Sequence, residues 1–327
     1  MILVVSFHED EHTRDVVERL RARGRSVHLL DLSEFPVARS LSAEWDGTGR
    51  GMRRVDGGDA AVELGDARVV WWRRVRPFDV DAAVTDPHSR AFAASETAQA
   101  LYGLLDTIDC PWMNPRMADE AAHHKPLQWA VARSVGLSIP RTLVTNNPEE
   151  ARRFVGEIGL GRTICKAFLA SLDAWRETRL VTADDMARID LVRLAPVIFQ
   201  EYVPGVDLRI TVVGERIFVG SIDARQTRYP VDMRMVVGEA DVRAGDLPPD
   251  VGDRLLELMD RLGLRYGAID MRRTDAGEHV FLEVNPAGQW QFVEQRTGLP
   301  ITDAVADELM RLERSGEPSS AAPALVS

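Results

Sequence analysis

The chain has 327 residues, 45% of them hydrophobic, enough for one large domain or about two to three smaller ones with their own cores. Forty basic against fifty-one acidic residues give a net charge of −11, which argues against a nucleic-acid partner, because such partners need a basic face. Two cysteines make no disulfide framework, and no apolar run approaches the roughly 20 residues that span a bilayer. A cytoplasmic protein with no membrane partner is expected.

Residues 2–6 read as a strand, 13–23 as an amphipathic helix closed by Gly24, and 27–30 as a second strand. This β-α-β order implies a parallel pair with a right-handed crossover. The intervening loop, Phe7-His8-Glu9-Asp10-Glu11-His12, lacks the glycines of a dinucleotide turn, so a nicotinamide fold is rejected. Its histidines and acids meet no metal-ligand spacing and read as a solvated loop. Residues 39–59 suggest an irregular hairpin or loop. Residues 68–74 form a strand ending in Arg73 and Arg74, whose alternation sends at most one of them into a site; Arg74 is a candidate clamp for a substrate carboxylate. A helix over 87–106, a strand over 110–114 and a helix over 116–136 follow.

Next come a strand over 141–145 and a helix opened by Asn147-Pro148-Glu149-Glu150, with Asn as N-cap and Glu150 at the capping-box position. Strands are predicted over 163–167 and 180–182, a helix over 183–194, and strands over 197–202, 207–213 and 216–224. A helix over 250–262 precedes a hairpin, a helix over 301–314 closes the fold, and the Ser/Ala/Pro tail 315–327 is expected to stay disordered.

That hairpin carries the chemistry. Tyr266-Gly-Ala-Ile-Asp270-Met-Arg and Phe281-Leu-Glu283-Val-Asn285-Pro are two short strands joined by a turn at Asp275–Gly277. Alternation points Glu283 and Asn285 to one face, beside Asp270. Two carboxylates and an amide oxygen suit Mg²⁺, which takes few protein ligands and completes its shell with water and phosphates. Upstream, Lys125 and Lys166 are candidates for those phosphates. The segment Gln200-Glu201-Tyr202-Val203 offers backbone groups to an adenine edge, and Asp207 can accept from ribose hydroxyls. Arg209 and Arg225, on neighbouring antiparallel strands, could neutralise phosphoryl oxygens or hold an acidic substrate.

The order Lys–Lys–Gln-Glu-Tyr-Val–Asp–Arg–Arg–Asp–Glu-x-Asn resembles the ATP-grasp superfamily of carboxylate ligases along nearly the whole chain. Trp71-Trp72-Arg73-Arg74, the string Ile139-Pro140-Arg141-Thr142-Leu143-Val144-Thr145-Asn146-Asn147-Pro148 and Asn285-Pro286-Ala287-Gly288-Gln289-Trp290 look like the microviridin-type, graspetide-forming peptide macrocyclases, with Ala287 where Asn is more usual. The resemblance implies an α/β chain with α+β lobes. Residues 1–114 would be a pre-ATP-grasp parallel-sheet domain, 115–196 a central lobe, and 197–314 a lobe with the metal site. It implies ATP and Mg²⁺ as cofactors, with Lys125 and Lys166 on the phosphates and Glu201 and Val203 on adenine. Asp207 would take the ribose, Asp270, Glu283 and Asn285 the metal, and Arg225 would lie near the transferred phosphoryl group. The implied reaction phosphorylates Asp or Glu side chains of a ribosomal precursor peptide and condenses them with Ser/Thr hydroxyls or Lys amines; a homodimer is implied too. The leader peptide would dock near 167–194, with Asp184, Asp185 and Asp190 receiving a basic residue. The Gly205–Arg209 element also resembles ribosomal-protein glutamate ligases, so addition of an amino acid to a protein or small acceptor is the alternative.

Overall fold

Short apolar strands whose side chains alternate between two cores build the N-terminal layer. The computed structural model describes residues 1–47, 51–56, 61–168, 178–229, 231–232, 235–236 and 238–316. Its first part contains β1 (Ile2–Val5), α1 (Glu11–Ala22), β2 (Val27–Leu30), β3 (Ser40–Trp45), β4 (Gly51–Asp56), β5 (Val62–Glu63), β6 (Val69–Trp72), α2 (Pro87–Leu105) and β7 (Trp112–Met113). The parallel sheet has the order β2-β1-β6-β7. Alternation sends Ile2, Val4, Val69 and Trp71 into a core with α1, and Leu3, Val5, Val70 and Trp72 into another beneath the end of α2. The segment 39–59 is more regular than its composition suggests, because β3, β4 and β5 pair as an antiparallel sheet; positions 48–50 and 57–59 lie outside the described residues.

The middle comprises α3 (Arg116–Ala122), α4 (Lys125–Ser134), β8 (Thr142–Thr145), α5 (Pro148–Ile158), β9 (Thr163–Lys166), β10 (Arg179–Leu180), α6 (Ala183–Ala187) and β11 (Val197–Glu201). The single helix expected over 116–136 is broken at His123-His124. Pro126 has no N–H for the Ala122 carbonyl, and the Gln128 side-chain amide donates to it instead. The helix expected over 183–194 is likewise only α6, followed by a 3₁₀ segment, Ile189–Leu194, whose Ile189 and Val192 pack in the core of α5. The Asn147 side chain does accept from Glu149 N–H, but Glu150 turns to Arg153 and no capping box closes.

The last part holds β12 (Val206–Val213), β13 (Arg216–Asp223), β14 (Asp241–Ala244), α7 (Pro249–Arg261), β15 (Tyr266–Arg273), β16 (His279–Asn285), α8 (Gln291–Thr297) and α9 (Ile301–Ser315). Its antiparallel sheet runs β14-β13-β12-β15-β16, while β11 pairs with β8 and β9 in the order β10-β9-β11-β8. The boundary expected at 196/197 would therefore cut the middle sheet, and the division falls after β11. α3 and α4 share a core with Leu208, Ile210, Ile269 and Met271, so they belong with the last sheet. α9 packs with α1 and the parallel sheet in a second core. From residue 317 the tail lies outside the described residues.

Candidate active site

The apolar face of the last sheet is covered, and its other face carries the polar residues. Register places Asp207 opposite Arg272, Arg209 opposite Asp270, and Asp270 opposite Glu283. Asn285, two residues beyond Glu283, pairs with Ala268 on the same face. Strict alternation would also put Phe281 there, yet Phe281 is fully buried in the core. A register shift between Asp270 and Met271 skips Leu282 and changes the outward face between 281 and 283. Bulges near active sites re-aim side chains in this way. The Leu282 carbonyl accepts from Trp129 Nε1 at 3.0 Å.

These oxygens border a cavity of about 580 Å³ that also touches Lys125, Lys166, Gln200–Val203, Asp207 and Arg272. The structure thus brings together the proposed metal ligands, both lysines and the adenine-edge segment. Lys125 Nζ donates to Glu283 Oε2. Arg209 Nη1 lies 2.8 and 3.0 Å from the two Asp270 oxygens. Asn285 Oδ1 accepts from Ala287 N–H at 2.9 Å. Among the described residues no three His, Cys, Asp or Glu side chains cluster to hold a metal; the third donor here is an amide. The set still fits a hard divalent cation, because its two carboxylates face one cavity and their charge is met by the chain's own cations.

At the other end, Glu201 N–H donates to Arg141 O at 2.8 Å and Tyr202 N–H to Arg162 O at 2.7 Å. The Val203 N–H has no partner among the described residues. Gln200 turns its amide to Thr142 Oγ1 at 2.8 Å, and the Glu201 carboxylate pairs with Arg162. Lys166 is half-buried, with Nζ 5.8 Å from the centre of the Trp129 ring. Asp207 meets Arg272 Nε at 2.8 Å. Burial nevertheless pushes its carboxyl up to about 7 against the pull of Arg272, and its Oδ2 is buried without a partner.

Several expectations change. Arg209 does not border the cavity: its donors go to Asp270 and the Gln289 carbonyl, so it holds Asp270 and the following loop in place. Arg225 lies past the end of β13, half-exposed and paired with Asp223 and Asp275, away from the cavity. Arg73 and Arg74 both border the cavity, because β6 ends at Trp72 and alternation stops there. Both approach Asp10, at 3.6 and 3.7 Å. Arg73 is fully buried, stacked 4.8 Å from the Trp290 ring centre. The loop before α1 is not simply solvated either. Asp10 and His12 are buried, with the His12 ring edge-on to Trp290 at 4.4 Å; burial, then Arg73, lowers its pKa to about 3. Asp185 closes a capping box with Thr182 and pairs with Arg179, and Asp190 pairs with Arg152. Asp184 is exposed and makes no such pair among the described residues, so two of the three acids expected to receive a leader residue are already paired within the chain. Residues 169–177 of the expected docking segment lie outside the described residues.

Two buried amides went unnoticed in the sequence. Gln128 donates to Val284 O at 2.8 Å and accepts from Val284 N–H at 2.9 Å, clamping the residue between Glu283 and Asn285. Asn114 Oδ1 accepts from the N–H groups of Arg265 and Tyr266, while its Nδ2 donates to Tyr266 O and Pro286 O. The available signal was an amide amid apolar neighbours, Leu127-Gln128-Trp129 and Trp112-Met113-Asn114.

A family profile described as the MvdD pre-ATP grasp domain matches residues 1–120. The macrocyclase MdnC of Microcystis aeruginosa MRC, solved with precursor peptide MdnA, is 30% identical over 95% of this chain and 99% of its own, with a TM-score of 0.84. A Chryseobacterium gregarium RiPP-associated ATP-grasp ligase, solved with ADP and leader and core peptides, is 26% identical over 95% and 96%, also at 0.84. The ATP-grasp ligase PsnB, solved with a minimal precursor, Mg and ADP, is 26% identical over 95% and 97%, at 0.78. None of the curated protein sequences matches.

Proposed function

This chain belongs to the ATP-grasp ligases that macrocyclise ribosomally made peptides, and from that premise we propose that it joins side chains within a precursor peptide at the expense of ATP. An Asp or Glu carboxylate of the peptide takes the γ-phosphoryl group, and a Ser or Thr hydroxyl or a Lys amine displaces phosphate to close an ester or amide ring. The observation that carries this reading is the convergence of Asp270, Glu283 and Asn285 with Lys125 and Lys166 on one cavity.

Asp270, Glu283 and Asn285 would hold Mg²⁺, which would supply positive charge to offset that developing on the phosphoryl oxygens. Lys125 would leave Glu283 for a phosphate, and Lys166 would meet another. The open Val203 N–H would donate to the adenine edge, and Asp207 Oδ2 would accept from the ribose. Arg209 and Gln128 hold Asp270 and the Glu283–Asn285 backbone in place. Closure of the walls would keep water from the acyl phosphate.

Incubation with ATP, Mg²⁺ and a cognate precursor peptide, of the short, acidic, Ser/Thr-rich kind this reading requires, should remove the mass of one water per ring and release ADP. Asp270→Asn should abolish both with the fold intact. An unchanged peptide mass would refute the reading, and a gain equal to an amino-acid residue would establish the amino-acid ligase instead.

A further inference from the structure

One corner of the cavity has no part in nucleotide binding as described. Beyond the end of β6 it is built by Trp72, Arg74, Asp119 and His123. His123 is the first residue after α3, and its Nδ1 lies 2.7 Å from the Asp119 backbone carbonyl. A carbonyl oxygen only accepts, so Nδ1 carries the hydrogen and the neutral ring keeps its lone pair on Nε2. The His123 side chain is 46% exposed, and Nε2 has no partner among the described residues. The Asp119 carboxylate, itself only 9% exposed, stands 3.6 Å from Nδ1.

A ring fixed by one nitrogen, open at the other and backed by a buried carboxylate is arranged to accept a proton. The imidazolium so formed would face the buried Asp119 carboxylate. Burial raises the Asp119 carboxyl to about 6, with His123, then a hydrogen bond from the Trp72 side chain, then Arg73 drawing it back down. Two residues along the chain Lys125 reaches Glu283, so this corner adjoins the end of the cavity where phosphoryl transfer would occur.

We propose that His123 is the catalytic base of ring closure, taking the proton of the attacking hydroxyl on Nε2, with Asp119 as its positioning residue. The proposal rests on the ligase reading above. In the step the hydroxyl O–H bond breaks and its proton moves to Nε2, while the oxygen lone pair forms a C–O bond to the acyl carbon. The bond from that carbon to the phosphate oxygen breaks, and its electron pair leaves with phosphate. The imidazolium then returns the proton to the departing phosphate. A neutral alcohol needs this help, since proton removal by a positioned base contributes about 10²–10⁴-fold.

The test compares wild type, His123→Gln and Asp119→Asn with precursor peptide, ATP and Mg²⁺, with and without hydroxylamine. Hydroxylamine attacks an acyl phosphate unaided, so hydroxamate on the peptide reports phosphorylation and folding, while loss of water reports closure. His123→Gln should form hydroxamate at the wild-type rate and close rings about a hundredfold more slowly. Asp119→Asn should slow closure by a smaller factor, with hydroxamate unchanged. Closure within about threefold of wild type in His123→Gln, or equal falls in both readouts, would overturn the assignment. Absence of hydroxamate in the wild type would instead sink the ligase reading itself.

Discussion

Replacing Asn114 by alanine tests how firmly the parallel sheet is tied to the hairpin that carries Asp270, Glu283 and Asn285. Asn114 is completely buried at the end of β7. Its Oδ1 accepts from Arg265 N–H at 2.8 Å and Tyr266 N–H at 2.9 Å, and its Nδ2 donates to Tyr266 O at 2.9 Å. A fourth contact, to Pro286 O, is longer at 3.4 Å. Alanine leaves backbone groups of Arg265 and Tyr266 unpartnered, each costing about 1–3 kcal/mol if no water replaces the amide. Three such losses, partly relaxed, come to roughly 4 kcal/mol. An unfolding entropy near 2.1 cal/mol/K per residue, over 327 residues, makes that a fall of about 6 °C in the midpoint. Thermal unfolding followed by circular dichroism measures it. A fall below about 2 °C would show that these bonds are not what joins the two units. Because Pro286 follows Asn285, the variant should also need more Mg²⁺ for half-maximal activity, and an unchanged requirement would separate Asn114 from the metal loop.

Arg225→Ala should leave both ring closure and the unfolding midpoint unaltered, since its partners, Asp223 and Asp275, lie with it at the surface. A loss of activity of about tenfold or more would return Arg225 to the phosphoryl group. His12 predicts a pH effect. The folded chain holds its ring neutral down to about pH 3, whereas the unfolded chain protonates it near 6.5. The unfolded state therefore binds more protons as pH falls, and stability present above pH 6.5 is lost toward pH 3. Urea midpoints at about pH 7 and about pH 5 should converge in His12→Phe, which keeps a ring against Trp290; an unchanged difference would mean that other groups set the slope.

The sequence made legible what depends on local periodicity. Alternation in the first strands gives the parallel sheet, and the spacing of Asp270, Glu283 and Asn285 gives one oxygen-bearing face. Asn147 and Pro148 open α5 as their chemistry requires. Arg225 lies beyond the last ladder pairing of β13, at Asp223, so strand alternation does not set its direction. Arg73 and Arg74 were expected on opposite faces by carrying the alternation of β6 past Trp72, where the strand ends. Parity is enforced only while hydrogen bonds hold the pleat.

The β15–β16 hairpin shows how such a rule can bring residues to one face through an incomplete argument. Phe281, Glu283 and Asn285 share parity, so an unbroken ladder would have to expose a large aromatic ring or bury a carboxylate. The skipped Leu282 resolves the conflict by turning the strand between Phe281 and Glu283. Trp129 then takes the Leu282 carbonyl, and Gln128 holds both backbone groups of Val284. Both clamps stand on α4, which begins afresh because Pro126 interrupts the preceding helix. That same restart places Lys125 in the first turn, against Glu283. The proline that spoils a helical pattern thus places the lysine and the amide that organise the oxygen-bearing strand, a connection visible only when 156 residues of separation along the chain have been closed.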